Sequence, residues 1–265
     1  MEFTGERYIP EVHGNIELEH LHRYLLACEI ANDKDVLDIA CGEGYGSKIL
    51  SSKAKKVIGI DISRETIHYA RKRYPSENIN FMVGNCIDIP LPDSSIDLVV
   101  SFETIEHIEQ HDLMIQEIKR VLRPDGLLLI SSPDKYYYSI ETGFHNPFHK
   151  RELYQHEFKN LLDSSFLHST YFGQRVVFGS SIFSESLATH IMSFSKEDDN
   201  IRSLYGLIKP IYWIGLASDG NLPNFDSSFF ECPINDSEVV QSWNKIVTER
   251  DQSIQSLNSL LAERD

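Results

Sequence analysis

The stretch that decides the fold is VLDIACGEGYGS, residues 36–47. It opens on apolar residues of the buried-strand type, Val36, Leu37 and Ile39, and runs into Gly42, Gly44 and Gly46. An apolar run that ends in glycines and continues as the helical pattern YGSKILSS (45–52) reads as strand, tight turn and helix, with the turn backbone pressed close to a ligand. That ligand is not a phosphate on this reading. A phosphate cradle needs Gly-Lys-Ser/Thr, and the order here is Gly46-Ser47-Lys48. A dinucleotide fingerprint wants a further glycine where Lys48 stands. Glu43 would also repel a pyrophosphate from the start of the helix, where an anion otherwise gains from the dipole.

Outward from this stretch, short apolar runs alternate with helical patterns. DVLDIA (35–40), KVIGID (56–61), INFMVG (79–84), IDLVVS (96–101) and GLLLISS (126–132) read as buried strands. SRETIHYARKRY (63–74) and QHDLMIQEIKRVL (110–122) read as helices, the first capped by Ser63 with Thr66 in its first turn. This alternation implies parallel strands, right-handed crossovers and an open doubly wound α/β sheet, with ligands at the carboxyl ends of the strands. NIELEHLHRYLLACEIA (15–31) is an amphipathic helix ahead of the block. Behind it come a polar-aromatic stretch (132–153), a helix near 151–163 and strands near 167–172 and 210–218. Residues 176–209 are too long for a hairpin turn and read as an insertion with some helix of its own. In TERDQSIQSLNSLLAERD (248–265), Glu-Arg-Asp recurs after two heptads, with Val247, Ile254 and Leu261 at a positions and Arg250 and Leu257 at d. This reads either as the start of a coiled coil or as a solvated terminal helix. The division expected is one domain over 1–235 and a C-terminal helix over 236–265.

Composition narrows the partners. The net charge of -15 disfavours nucleic acid, because phosphate-binding surfaces need local excess Lys and Arg. No window approaches the ~18 apolar residues of a membrane span. The opening MEFTGERYIPEVHG carries acidic residues and no apolar core, unlike a signal peptide. Cys28, Cys41, Cys86 and Cys232 have neither metal-ligand nor redox spacing and read as small buried residues of a cytoplasmic protein.

Two further strand ends carry polar side chains. Asp61 closes the second strand, 23 residues after Asp38, where a carboxylate can accept both hydroxyls of a ribose. Asn85 follows the third strand and is a candidate partner for an adenine edge, with Cys86 and Ile87 beside the ring. Taken singly, Asp61 also reads as a neighbour of a helix N-cap and Cys86 as packing.

LDIACGEGYGS, VIGIDIS and VGNCIDIPLPDSSIDLVVSFETIEHI resemble the successive motifs of class I S-adenosylmethionine-dependent methyltransferases, strongly over about 35–135 and more loosely to about 218. The resemblance implies a mostly parallel seven-stranded, Rossmann-like sheet ending in an antiparallel strand at PIYWIGLAS. It implies S-adenosyl-L-methionine as cofactor and S-adenosyl-L-homocysteine as product. It places Asp38, Ala40, Gly42 and Gly44 along the methionine part, Asp61 on the ribose, Ile62 against the adenine, Asn85 and Cys86 at the adenine edge, and Phe102 beside the cofactor. Asn85 stands where many relatives have aspartate. FTGERYIP and HGNIELEHLHRY also look like the entry to methyltransferases of bacterial surface-polysaccharide (O-antigen) assembly, some of them fused to coiled coils and glycosyltransferases. This implies a carbohydrate acceptor, and a homo-oligomer or an associated glycosyltransferase held through the C-terminal helix.

The sulfonium methyl is already a good electrophile, so catalysis needs in-line positioning and, for an alcohol acceptor, removal of a proton. His149, in HNPFHKREL, is the candidate general base, with Glu103 and His107 of ETIEH beside it. Arg23 either grips the cofactor carboxylate or makes a surface ion pair with Glu19. The pattern Glu-x-x-Glu-His followed by a later His looks like the metal set of small-RNA 2′-O-methyltransferases. That likeness would let Glu103, Glu106, His107 and His149 hold a divalent metal, as the second option behind a simple base. Tyr136, Tyr137 and Tyr138 are candidates for a sugar-stacking wall, though three consecutive residues cannot all face one way. Two other readings compete: methylation of another small molecule or lipid-linked precursor, and a scaffold with a relic cofactor site.

Overall fold

The structure, a computed structural model, describes residues 15–176, 179–185, 192–197, 200–231, 233 and 237–262. In chain order the elements begin with α1 (Asn15–Ile30), β1 (Asp35–Ile39), α2 (Tyr45–Leu50), β2 (Lys56–Asp61), α3 (Arg64–Arg73), β3 (Ile79–Val83) and β4 (Ile96–Ser101). They continue with α4 (His111–Val121), β5 (Leu122–Pro133), α5 (Gln155–Asp163), β6 (His168–Val176), β7 (Gly179–Ser184), β8 (Met192–Glu197), β9 (Asn200–Tyr205), β10 (Tyr212–Ser218), β11 (Ser228–Glu231) and α6 (Glu238–Ala262). A 3-10 turn covers Ile105–His107 and a π-helical turn covers Lys135–Ile140.

The main sheet runs β11-β7-β6-β10-β5-β4-β1-β2-β3. β1 pairs in parallel with β2 on one side and β4 on the other, and β10 is antiparallel to both β5 and β6. The seven strands expected from the sequence are the consecutive run from β6 to β3. Two more, β7 and β11, extend its edge among the described residues. The insertion departs from expectation. Its described parts are strands rather than helix: β7 joins the sheet, and β8 and β9 form a separate antiparallel pair. Met192 and Phe194 alternating with Ser193 and Ser195 in MSFSKE give the two-residue period of a strand, which the length of the segment obscured. The N-terminal stretch to residue 14, Cys232 and the second Glu-Arg-Asp lie outside the described residues.

Alternate residues of the central strands feed two cores. Leu37, Ile39, Val99, Leu128 and Ile130 pack with α4 and α5, while Val36, Leu98, Val100, Leu127 and Leu129 pack with α1 and α2. This period-two split is why the strands read as continuous apolar runs. Asp38 shares the α1 face and is buried. Its carboxylate accepts from Tyr24 Oη at 3.0 Å and Ser47 Oγ at 2.6 Å, tying α1 and α2 to β1. Burial pushes its pKa up to about 6. Ser63 caps α3 as expected, its hydroxyl accepting from Thr66 N. Among the described residues no helix is long and apolar enough to cross a membrane.

Gly46 shows how close α1 and α2 come. A Cβ there would lie 2.0 Å from Tyr24 Cζ, and the Tyr24 ring is held by its bond to Asp38. Helix propensity alone gives Gly46→Ala a gain of about 1 kcal/mol. Overpacking costs about 1–3 kcal/mol. The expected result in urea denaturation is a lower midpoint. A raised midpoint would show that α1 is not pinned as described.

Candidate functional site

A cavity of ≈ 490 Å³ opens at the carboxyl ends of β1, β2, β3 and β4, beside the reversal of strand order. Its walls are Ile39, Ala40 and Gly42 after β1, Asp61 and Ile62 after β2, Gly84, Asn85 and Cys86 after β3, and Glu103, Thr104, His107 and Ile108 after β4. Pro147, Phe148 and Lys150 close it from the loop before α5.

The backbone makes this opening with left-handed turns on both sides of the reversal. Ala40 (φ 60°) and Gly42 (φ 54°) turn the chain away from β1, and Glu103 (φ 48°) turns it away from β4. Such conformations are costly for residues other than glycine and persist where neighbours enforce them. Ser131 on β5 enforces the second: its Oγ accepts from Glu103 N at 3.1 Å and donates to Glu103 Oε1 at 2.5 Å. Asp61 braces the first. Its Oδ2 accepts from Gly42 N at 3.1 Å and its Oδ1 from Ser63 N at 2.8 Å. A Cβ on Gly42 would meet nothing within 4 Å, so this glycine leaves the cavity floor open. Asn85 folds back so that its Oδ1 accepts from Ile87 N at 3.2 Å, which presents its NH2 as a donor.

Ala40, Gly42, Asp61, Ile62, Asn85, Cys86, Glu103 and His107 thus come together, as the sequence suggested. Five expected residues stand elsewhere. Asp38 spends its carboxylate on Tyr24 and Ser47 beneath the sheet end. Gly44 packs under Phe81, where a Cβ would come within 2.6 Å of the ring. Phe102 is buried edge-on against Tyr24. Arg23 is buried rather than on the surface. Its Nη1 donates to Gln174 Oε1 at 2.8 Å and lies 3.6 Å from Glu103 Oε1, and its Cζ sits 4.8 Å above the Tyr212 ring. Arg23 Nε and Nη2 have no hydrogen-bond partner among the described residues. Glu19 is buried too, its Oε2 accepting from Tyr212 Oη at 2.9 Å, so the surface ion pair is not formed. Glu43, which argued against a phosphate, is also buried and outside the cavity wall.

His149 is the fifth. It lies behind the wall, its Nδ1 2.6 Å from Glu152 Oε1 and its Nε2 3.0 Å from Asn146 Nδ2. Asn146 Oδ1 accepts from Phe148 N, which fixes the amide orientation. His149 therefore donates to Glu152 and accepts from Asn146, and its lone pair does not face the cavity as a general base would. His107 does face it. His107 Nδ1 donates to the Phe148 carbonyl at 3.1 Å, so Nε2 carries the lone pair. Glu106 is 1 % exposed, and its Oε2 has no hydrogen-bond partner among the described residues. Burial, then the charge of Glu103, push its pKa well above the carboxylate range. The three tyrosines diverge: Tyr138 stacks on His149 at 5.3 Å, while Tyr136 is 47 % exposed with Tyr137 edge-on to it.

Sequence reasoning missed Thr104, Ile108, Pro147, Phe148 and Lys150 in the wall. The signal was present in HNPFHK, where Asn146 and Pro147 are turn residues and the Asn146 side chain accepts from Phe148 N.

The cavity can be set beside known proteins. Residues 37–130 match the family described as a methyltransferase domain. A probable S-adenosylmethionine-dependent methyltransferase of Mycolicibacterium smegmatis is 39 % identical over 169 residues, which are 61 % of this chain and 63 % of the relative. A fatty-acid O-methyltransferase of the same organism is 32 % identical over 98 residues, 36 % of each chain. The chain thus spans less than two thirds of the length of these curated relatives. The crystal structure of the YcgJ protein from Bacillus subtilis superposes with a TM-score of 0.56 at 18 % identity, over 81 % of this chain and all of that one. Residues 37–130 match the methyltransferase-domain family, and the strand order together with the superposition shows a Rossmann-like fold of the class I methyltransferase type.

Proposed function

We propose that this chain transfers a methyl group from S-adenosylmethionine to a hydroxyl oxygen of a carbohydrate, part of a bacterial surface glycan or its precursor. The observation that carries the reading is the two-ended cavity. Asp61, Ile62, Asn85 and Cys86 line the end beside β2 and β3, and Glu103, His107 and Phe148 line the end beside β4. The residues fit the cofactor. The space over Gly42 is open, and Asp61 and Asn85 offer an acceptor and a donor. When bound, S-adenosylmethionine supplies an electrophilic methyl carbon on a positively charged sulfur.

The chain's own residues do the rest. Asp61 accepts from the ribose hydroxyls while keeping Gly42 in its turn. Asn85 donates through its NH2 to a ring nitrogen of the adenine, a role its occupied Oδ1 favours over accepting from the amine. Ile62, 67 % exposed, offers apolar surface to the ring. At the other end His107 Nε2 is placed to hold the acceptor proton. Phe148, 40 % exposed, and Tyr136 offer ring faces to the C–H surface of a sugar.

A second reading is favoured by the fatty-acid O-methyltransferase relative and by the apolar side chains in the wall: the acceptor is a carboxylate on a lipid-linked or other small molecule. Such an acceptor is already deprotonated and needs no base, which separates the two. The reading places the reaction in the cytoplasm, supported by free thiols at Cys28, Cys41 and Cys86. The exposed apolar side chains of α6, Val239, Trp243, Ile246, Val247 and Ile254, support a role for that helix in pairing with a second copy of the chain.

Asp61→Ala should weaken S-adenosylhomocysteine binding by about 10–100-fold in calorimetry, the value of a charged hydrogen bond or two. Unchanged affinity would remove the cofactor assignment and leave the scaffold reading. His107→Ala should lower turnover on a sugar acceptor by about 10²-fold or more. Turnover retained in that variant, with label from methyl-tritiated S-adenosylmethionine entering acyl carboxylates instead of glycans, would establish the second reading. Truncation after residue 236 should convert the chain to a monomer in light scattering. An oligomer that survives truncation would contradict pairing through α6.

A further inference from the structure

We propose that Asn146 is a positioning residue: it shapes a turn whose Phe148 carbonyl holds His107 in the tautomer that a base needs. The use of that tautomer in methyl transfer rests on the function proposed above, whereas the tautomer itself does not.

The turn follows from the sequence. Asn at the first position and Pro at the second are residues that a β-turn prefers. Residues 146–149 read Asn-Pro-Phe-His, and His149 N donates to the Asn146 carbonyl at 3.2 Å, closing the turn. Pro147 has no N–H, so Phe148 N is the first donor after Asn146. The Asn146 side chain takes it, its Oδ1 accepting from Phe148 N at 3.0 Å. Asn146 thus holds the amide on each side of Phe148, one with its carbonyl and one with its side chain. Its amide is 9 % exposed and also donates from Nδ2 to His149 Nε2 at 3.0 Å.

Peptide planarity carries this hold to the cavity. The Phe148 carbonyl and the His149 N–H belong to one trans peptide and point opposite ways. With the N–H turned in to Asn146, the carbonyl points away from the turn, and there it accepts from His107 Nδ1 at 3.1 Å. A carbonyl only accepts, so His107 Nδ1 carries the proton and Nε2 the lone pair. Glu106 Oε1 stands 3.8 Å from His107 Nε2, too far to hold the opposite tautomer by a hydrogen bond. The chain beyond the turn is fastened as well, because the Glu106 carbonyl accepts from Lys150 N at 2.8 Å and Arg151 N at 3.1 Å. The turn is therefore anchored beside His107 on its far side and governed by Asn146 on its near side. His107 and Phe148 line the cavity and Asn146 does not, so Asn146 acts through them.

The test is long-range ¹H–¹⁵N spectroscopy of the full chain labelled at histidine, at roughly pH 8.5, where imidazoles of ordinary pKa are neutral. The His107 signals, identified by their loss in His107→Gln, should show Nδ1 protonated and Nε2 unprotonated. Asn146→Ala removes the side-chain bond to Phe148 N, and His107 should become a mixture of the two tautomers. Asn146→Asp keeps an acceptor for Phe148 N and should keep the Nδ1–H form. Unchanged S-adenosylhomocysteine affinity in both variants reports that the fold and the cofactor end are intact. Turnover of methyl-tritiated S-adenosylmethionine on a sugar acceptor should fall about 10-fold or more in Asn146→Ala, with KM for the cofactor unchanged. An Nε2–H form of His107 in the unsubstituted chain, or the same single tautomer in Asn146→Ala, overturns the proposal. A shifted tautomer in Asn146→Ala with unchanged turnover supports the hold of Asn146 on His107 and removes His107 as the base.

Discussion

β1 has parallel neighbours on both sides, and the rest of the site depends on that constraint. The chain leaving β1 goes to one side and the chain leaving β4 to the other, so neither loop can cover the gap between the strand ends. Both must turn sharply to leave it open. At β1 the turn is carried by Ala40 and Gly42 in left-handed conformation, at β4 by Glu103. Each turn is held by a hydrogen-bonding side chain from an adjoining strand, Asp61 from β2 and Ser131 from β5. The cavity is the space these turns leave.

This accounts for a division of labour among the three glycines of the opening stretch. Gly42 keeps a surface open, Gly44 lets Phe81 close the layer beneath, and Gly46 lets the Tyr24 ring lie on α2. In the sequence they look alike. Their spacing marked a tight turn, but the neighbours that distinguish them come from α1 and β3, distant in the chain. Asp38 misled for the same reason. A carboxylate in a strand before a glycine turn suggests a ligand contact, and its two donors, Tyr24 and Ser47, become visible only when α1 and α2 are docked.

What was legible follows the physics of each signal. The central strands were legible because burial on both faces forces continuous apolar runs. Ser63 was legible because an N-cap is a local event. Asp61, Asn85 and Glu103 were legible because strand ends in this topology converge, whatever lies between them in the chain. The strands of the insertion were hidden by weak, Ser-rich alternation, and the roles of the histidines by partners absent from their neighbourhoods. His149 depends on Asn146 and Glu152 for its tautomer, and His107 on the Phe148 carbonyl.

On the proposed function, the turn after β1 frames a pocket for a nucleoside that carries no phosphate. Calorimetric competition between S-adenosylhomocysteine and a pyrophosphate-bearing dinucleotide, on the intact chain, tests it most directly. The expected result is stoichiometric binding of S-adenosylhomocysteine that the dinucleotide does not displace. Binding of the dinucleotide in its place, or of neither, would contradict it.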